Sequence, residues 1–252
     1  MIAIADAVRQ IISAGEGRIV VEKKILRSEL IAEYLGSMFL VMAAIASMTL
    51  FTSVFDSPKS IAVIANALAV ALVLIALIEV FGSVSGAHFN PVVTLAMMLE
   101  KKIGTAKAAW YVLFQIAGGL TGTALSNLMF LDEVGSLFSI SQIPRTDYVY
   151  FGEIFGTFIL VLAILLLVKA GSSILPLAVG FLVGGQLLAT SSTMFANPQV
   201  TIARMFTNSA AGIRPIDGLV FIAMQVIGAL LAYVVYRYLF SNTEAKNEKG
   251  SK

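Results

Sequence analysis

Two asparagine–proline pairs carry most of the chemistry this chain can offer. Residues 90–99 read NPVVTLAMML and residues 197–206 read NPQVTIARMF, identical at six of ten positions. Pro91 and Pro198 suit the first turn of a helix, where the missing N–H would have no partner anyway. Asn90 and Asn197 suit the cap just before it, and their carboxamides can also donate N–H bonds. The apolar runs that follow, Pro91–Leu99 and Pro198–Phe206, are too short to cross a bilayer. Short helices at membrane depth are tolerated only where they line a cavity. Two helix N-termini meeting there, each with roughly +0.5 charge, repel cations, hydronium included. The two asparagines can then donate hydrogen bonds to a passing neutral, hydroxyl-bearing molecule. Capping and pore lining are compatible roles.

Two acids lie inside apolar stretches: Glu33 within AEYLG and Glu153 within GEIFG. Buried in a membrane they need partners. They are expected to accept hydrogen bonds from the unpaired backbone N–H groups of the segments entering the short helices; a proton relay is the alternative. Cysteine is absent and His88 is the single histidine, which excludes thiolate metal sites, poly-histidine metal sites and most His-dependent catalysis. No metal, cofactor or enzymatic chemistry is expected. The basic residues are too scattered for a nucleic-acid groove.

The elements that must position these residues follow from hydropathy. Of 252 residues 58% are hydrophobic and 13% charged, with mean hydropathy +0.91, against about 45–50% and about 25% in soluble domains. Six spans are expected near Leu30–Phe51, Ile61–Gly82, Ala108–Phe130, Phe151–Val168, Leu175–Ser192 and Leu219–Phe240. The repeat extends to Gln115 in FQIAGG and Gln225 in MQVIGA. Each half therefore has three spans with a broken helix after the second. An odd number of spans forces the second half to cross in the opposite sense, an inverted 3+3 repeat with its site near the midplane. The fold class is an all-α membrane protein of six transmembrane helices and two re-entrant half-helices.

With both termini inside, thirteen Lys and Arg fall on the inner side and three, Lys59, Arg145 and Arg214, on the outer side; this sets the expected topology. Residues 1–27 read as a cytoplasmic N-terminal segment. Within it Ile2–Ile12 either lies along the inner membrane surface or is a frayed tail. Residues 28–240 form the channel domain, with repeats of about 28–131 and 150–240, and 241–252 a cytoplasmic tail.

SGAHFNPVVTLA, residues 85–96, closely resembles the first signature of the aquaporin, or major intrinsic protein, family, and NPQV at 197–200 resembles the second. The resemblance runs from Ser28 to Phe240. It implies one pore per subunit, a homotetramer in the plasma membrane, and a loop-bracing His88. Family members that pass water or glycerol usually carry Asn-Pro-Ala-Arg in the second motif, the arginine forming the narrow outer filter. Here Gln199 and Val200 stand in those places. Counting back from each Asn-Pro as the family does, the filter would be Val70, Gly185, Met194 and Val200. Such a ring is apolar and uncharged, favouring uncharged solutes with some apolar surface. FANPQVTIARMF followed by AGIRP looks like a subgroup often associated with arsenic-resistance genes, which suggests metalloid acids such as arsenite, or methylated arsenicals.

The resulting expectation is a passive channel in the lipid bilayer for water and/or small uncharged solutes. Its rivals are a gas or ammonia conduit, a non-conducting structural membrane protein closed by Met194 and Phe195, and a proton-coupled transporter. Two residues stay open at this point. Arg204, one turn beyond Val200, either serves the outer mouth or satisfies loop carbonyls. Glu79 either lines the inner vestibule or pairs with a neighbouring helix.

Overall fold

The computed structural model describes the backbone of residues 2–250 and the side chains of residues 26–240. It is all-helical over the described residues. The elements are α1 (Ile2–Thr49, continued by a π-helical turn Leu50–Val54), α2 (Lys59–Ser85), α3 (Pro91–Leu99), α4 (Thr105–Met129), α5 (Leu131–Val134), α6 (Val149–Ala170), α7 (Leu175–Ala189), α8 (Pro198–Arg204) and α9 (Pro215–Gly250). Five helices are long and apolar enough to cross a membrane, and α7 is a sixth, shorter apolar helix. α3 matches the expected segment. α8 stops at Arg204, two residues early, and α7 ends at Ala189, three residues early, because Thr190–Asn197 is needed as the descending loop. The helical backbone of α1 begins at Ile2, with no break before the first span. How the side chains of Ile2–Ile12 sit lies outside the described side chains, as do those of the tail from 241 on.

The two halves repeat in their packing. α1 lies against α4 and α6 against α9; α2 crosses to pack on α7. Without a hydrophobic drive between helices in lipid, close backbone approach and dispersion hold such contacts. The sequence supplies the small residues. A Cβ added at Gly118 or Gly122 of α4 would strike the α1 carbonyls of Tyr34 or Met38, and one at Gly228 of α9 the α6 carbonyl of Ile154. Gly180 and Gly184 of α7 face Ala71 of α2 in the same way.

The loops descending to the half-helices repeat too, residue by residue at an offset of 107. Positive φ occurs at Gly86 (+87°), Ala87 (+51°) and Phe89 (+48°), and again at Thr193 (+56°), Met194 (+36°) and Ala196 (+46°). Non-glycine residues in this region are strained, on the order of 1–3 kcal/mol each. Such a backbone persists only where its surroundings hold it, which points to the buried groups beneath.

Candidate functional site

Beneath each loop sits a carboxylate with no exposure. Glu33 accepts from the backbone N–H of His88 (2.9 Å) and Phe89 (2.8 Å), from Ser85 Oγ (2.7 Å) and from Gln115 Nε2 (2.7 Å). Glu153 accepts from the N–H of Phe195 (2.9 Å) and Ala196 (2.8 Å) and from Gln225 Nε2 (2.6 Å). Gln115 also reaches Thr94 Oγ1 (3.0 Å), and Gln225 reaches Thr201 Oγ1 (2.9 Å). Each acid thus ties one loop, one half-helix and one long helix together. His88 sets its Nδ1 against Thr94 Oγ1 at 3.0 Å, its ring edge-on to Tyr111.

Above the carboxylates the half-helices meet at their capping asparagines. Asn90 Oδ1 accepts from Val92 N (3.1 Å), while Asn90 Nδ2 donates to Ala196 O (2.8 Å). Asn197 Oδ1 accepts from Gln199 N (3.1 Å), while Asn197 Nδ2 donates to Phe89 O (2.9 Å). Each asparagine therefore caps its own helix and clamps the other loop. A carboxamide has two N–H bonds, so one on each remains without a protein acceptor among the described residues. Gln199 is fully buried and donates to Phe89 O as well (3.2 Å), so it reinforces the clamp and does not line the lumen.

Both asparagines line a cavity of about 220 Å³ between the two halves. Its walls are contributed alike. α1 gives Leu40 and Ala44 where α6 gives Leu160 and Ile164; α2 gives Val70, Leu74 and Ile78 where α7 gives Val179, Val183 and Leu187. Val70, Met194 and Val200 stand in this wall, as does Arg204.

Gly185 does not. It is exposed, absent from the lining, and an added Cβ there would meet nothing within 4 Å. The cavity face of α7 is Val179, Val183 and Leu187, spaced four apart; two residues of α-helix turn about 200°, so Gly185 faces away from both Val183 and Leu187. Counting back from the Asn-Pro fixes a sequence distance but not the rotational phase of the helix. Glu79 is likewise exposed on α2 and outside the cavity lining.

Two arginines flank Phe195, a residue in the second loop. The Arg204 guanidinium carbon lies 3.7 Å from the ring centroid, and its Nε donates to Ala211 O. Arg145, which nothing in the sequence pattern singled out beyond its outer loop, lies 4.8 Å from the same ring. Its side chain donates to Gly212 O (3.2 Å), Ser192 O (3.4 Å) and Thr193 Oγ1 (3.4 Å). Burial pushes the Arg145 guanidinium down to about 10, against a raising influence of the Glu153 charge. It stays cationic at neutral pH.

Residues 20–196 match the family described as Major intrinsic protein. The aquaglyceroporin AqpS of Rhizobium meliloti (strain 1021) is 34% identical over 209 residues, covering 83% of this chain and 88% of that protein. Aquaporin-1 of Bos taurus is 30% identical over 235 residues, covering 87% and 84%. The X-ray structure of the aquaglyceroporin from Plasmodium falciparum superposes with a TM-score of 0.62 at 21% identity, over 85% of this chain and 95% of that one, a likeness of fold.

Proposed function

The chain belongs to the major intrinsic protein family, and on that premise we propose that it is a passive conduit for uncharged solutes whose outer filter is apolar. Channels, not enzymes, make up this family, and the chain is accordingly a membrane channel for water and small solutes. The finer reading concerns which solutes. Val70, Met194 and Val200 form the filter, joined from α7 by a residue of its cavity face, Val183 or Leu187. No guanidinium stands at position 200 itself, so the ring offers little to compensate a strongly hydrated solute for the water it sheds. Weakly hydrated neutral molecules, metalloid acids such as arsenite and methylated arsenicals among them, suit it best. Glu33 and Glu153 serve as loop anchors and not as proton carriers, since every donor they hold is a fixed structural group. The positive-inside balance supports cytoplasmic termini; the plasma membrane is the location this reading assigns, and four copies are expected to assemble, each with its own pore.

The observation that carries this reading is the reciprocal clamp of Asn90 and Asn197 over the cavity, with one N–H of each left for the lumen. Stopped-flow comparison of water, glycerol and arsenite entry into proteoliposomes tests it. Arsenite and water entry above protein-free vesicles is expected. Ammonia passage with no water or arsenite flux would put the gas conduit ahead, and no flux of any kind would leave a structural protein.

A further inference from the structure

On this channel reading, we infer that Arg204 is a specificity-determining residue of the α8 mouth: its guanidinium supplies the fixed positive charge and the hydrogen-bond donors that position 200 lacks. It selects small uncharged oxygen-rich solutes, oxyacids above all, and turns cations away.

The internal repeat makes the first argument. The lumen face of α3 is Asn90, Val93 and Met97; that of α8 is Asn197, Val200 and Arg204, each 107 residues on. All six line the cavity. Arg204 therefore stands where the other half carries an apolar thioether. At this pair of positions one mouth of the pore is charged and the other is not.

Side-chain direction makes the second. Helical side chains lean toward the helix N-terminus. The N-terminus of α8 is at the centre of the pore, so Arg204 leans inward. Its Cα is roughly 6 Å beyond that of Val200 along the axis, a distance a long side chain recovers by folding back. Its guanidinium does lie on Phe195, a residue that precedes α8.

Donor accounting makes the third. A guanidinium has five N–H bonds. Nε is held by Ala211 O. The Nη groups have no protein acceptor among the described residues, and no carboxylate there is within ion-pair distance of Arg204, although the residue is only 3% exposed. Arg145 differs, because loop carbonyls and Thr193 take up its side chain. Phe195 and Ala211 fix the Arg204 plane, and the free edge fits two oxygens borne on one atom. In a narrow, largely apolar mouth the unneutralised charge opposes cations.

The test uses the full-length protein in proteoliposomes as wild type, Arg204→Gln and Arg204→Lys. Stopped-flow gives the ratio of boric acid to water permeability, and entrapped dyes report proton and sodium leak. Arg204→Gln is expected to lower the ratio about tenfold, as for one lost hydrogen bond to a charged group, and to raise cation leak above that of wild type. Arg204→Lys keeps the charge but not the fork: it should lower the ratio while leaving cations excluded. A wild-type ratio with no leak in folded Arg204→Gln would overturn the inference. If Arg204→Gln yields no folded protein, Arg204→Lys decides: an unchanged ratio overturns the role of the fork, and a cation leak overturns that of charge. A wild type that passes neither water nor boric acid overturns the channel reading itself, and this inference with it.

Discussion

Replacing Glu153 by glutamine alters almost no volume but removes an acceptor from a site built wholly of donors. Phe195 N, Ala196 N and Gln225 Nε2 all converge on its two oxygens at 2.6–2.9 Å. Glutamine keeps one oxygen and turns an NH2 toward the remaining donors, so at least one buried N–H is left facing another. Losing a hydrogen bond to a charged group removes about 1.5–3 kcal/mol, and stranding a buried donor adds about 1–3 kcal/mol. The sum, about 2.5–6 kcal/mol, brackets the roughly 3–5 kcal/mol typical of breaking one side of a buried charged arrangement. The loop it releases is strained at Thr193, Met194 and Ala196, so the whole second descent into the pore is expected to loosen. Thermal unfolding of the purified protein should show a midpoint lowered by roughly 10 °C, and water flux per folded protein should fall with it. A midpoint within about 2 °C of wild type, with unchanged flux, would refute the anchoring role. Loss of proton-driven uptake at full stability would instead mark a proton carrier.

The remaining perturbations probe the clamp, the filter and the helix contacts. Asn197→Asp keeps the cap on Gln199 N but sets a carboxylate against Phe89 O in place of a donor; cation leak measured by entrapped dye should appear, or folded yield should fall. Leu187→Ala should admit larger solutes such as glycerol faster relative to water, whereas Gly185→Val should leave that ratio alone, because Leu187 lines the cavity and Gly185 faces away from it. The opposite pattern in stopped-flow traces would restore Gly185 to the filter. Gly122→Leu drives a side chain into the Met38 carbonyl at the α1–α4 contact; overpacking there costs typically about 1–3 kcal/mol or more, read as lost monodisperse protein on size exclusion.

Much of the architecture was legible because it rests on local properties. Apolar length places the spans, and Asn-Pro marks the starts of α3 and α8, since capping and proline geometry involve only neighbouring residues. The inverted repeat can be read from paired Asn-Pro, Glu and Gln positions, and the pairing reappears in the backbone angles of the two loops, at the Asn-Pro offset of 107, and in the matched Gln–Glu hydrogen bonds. The end of α8 is not legible because Met205 and Phe206 stay apolar while the backbone leaves the helix; α7 ends earlier than expected, at the polar Thr190–Ser192, where the loop begins its descent.

The sequence by itself determined how many long apolar helices and half-helices there are, where the half-helices begin and which polar residues come in matched pairs; the short α5 carries no such signal. Tertiary structure alone decided which way each faces. α7, LPLAVGFLVGGQLLA, is apolar on nearly every side, and a helix without a polar face carries no signal of its rotation. Gly185 was therefore assigned to the lumen when Val183 and Leu187 hold that face. The same limit applies to the asparagines and arginines. Asn90 spends an N–H on a carbonyl 106 residues away, and Arg204 is held by Phe195 and Ala211. Partners so distant along the chain become neighbours only when the two halves close on each other.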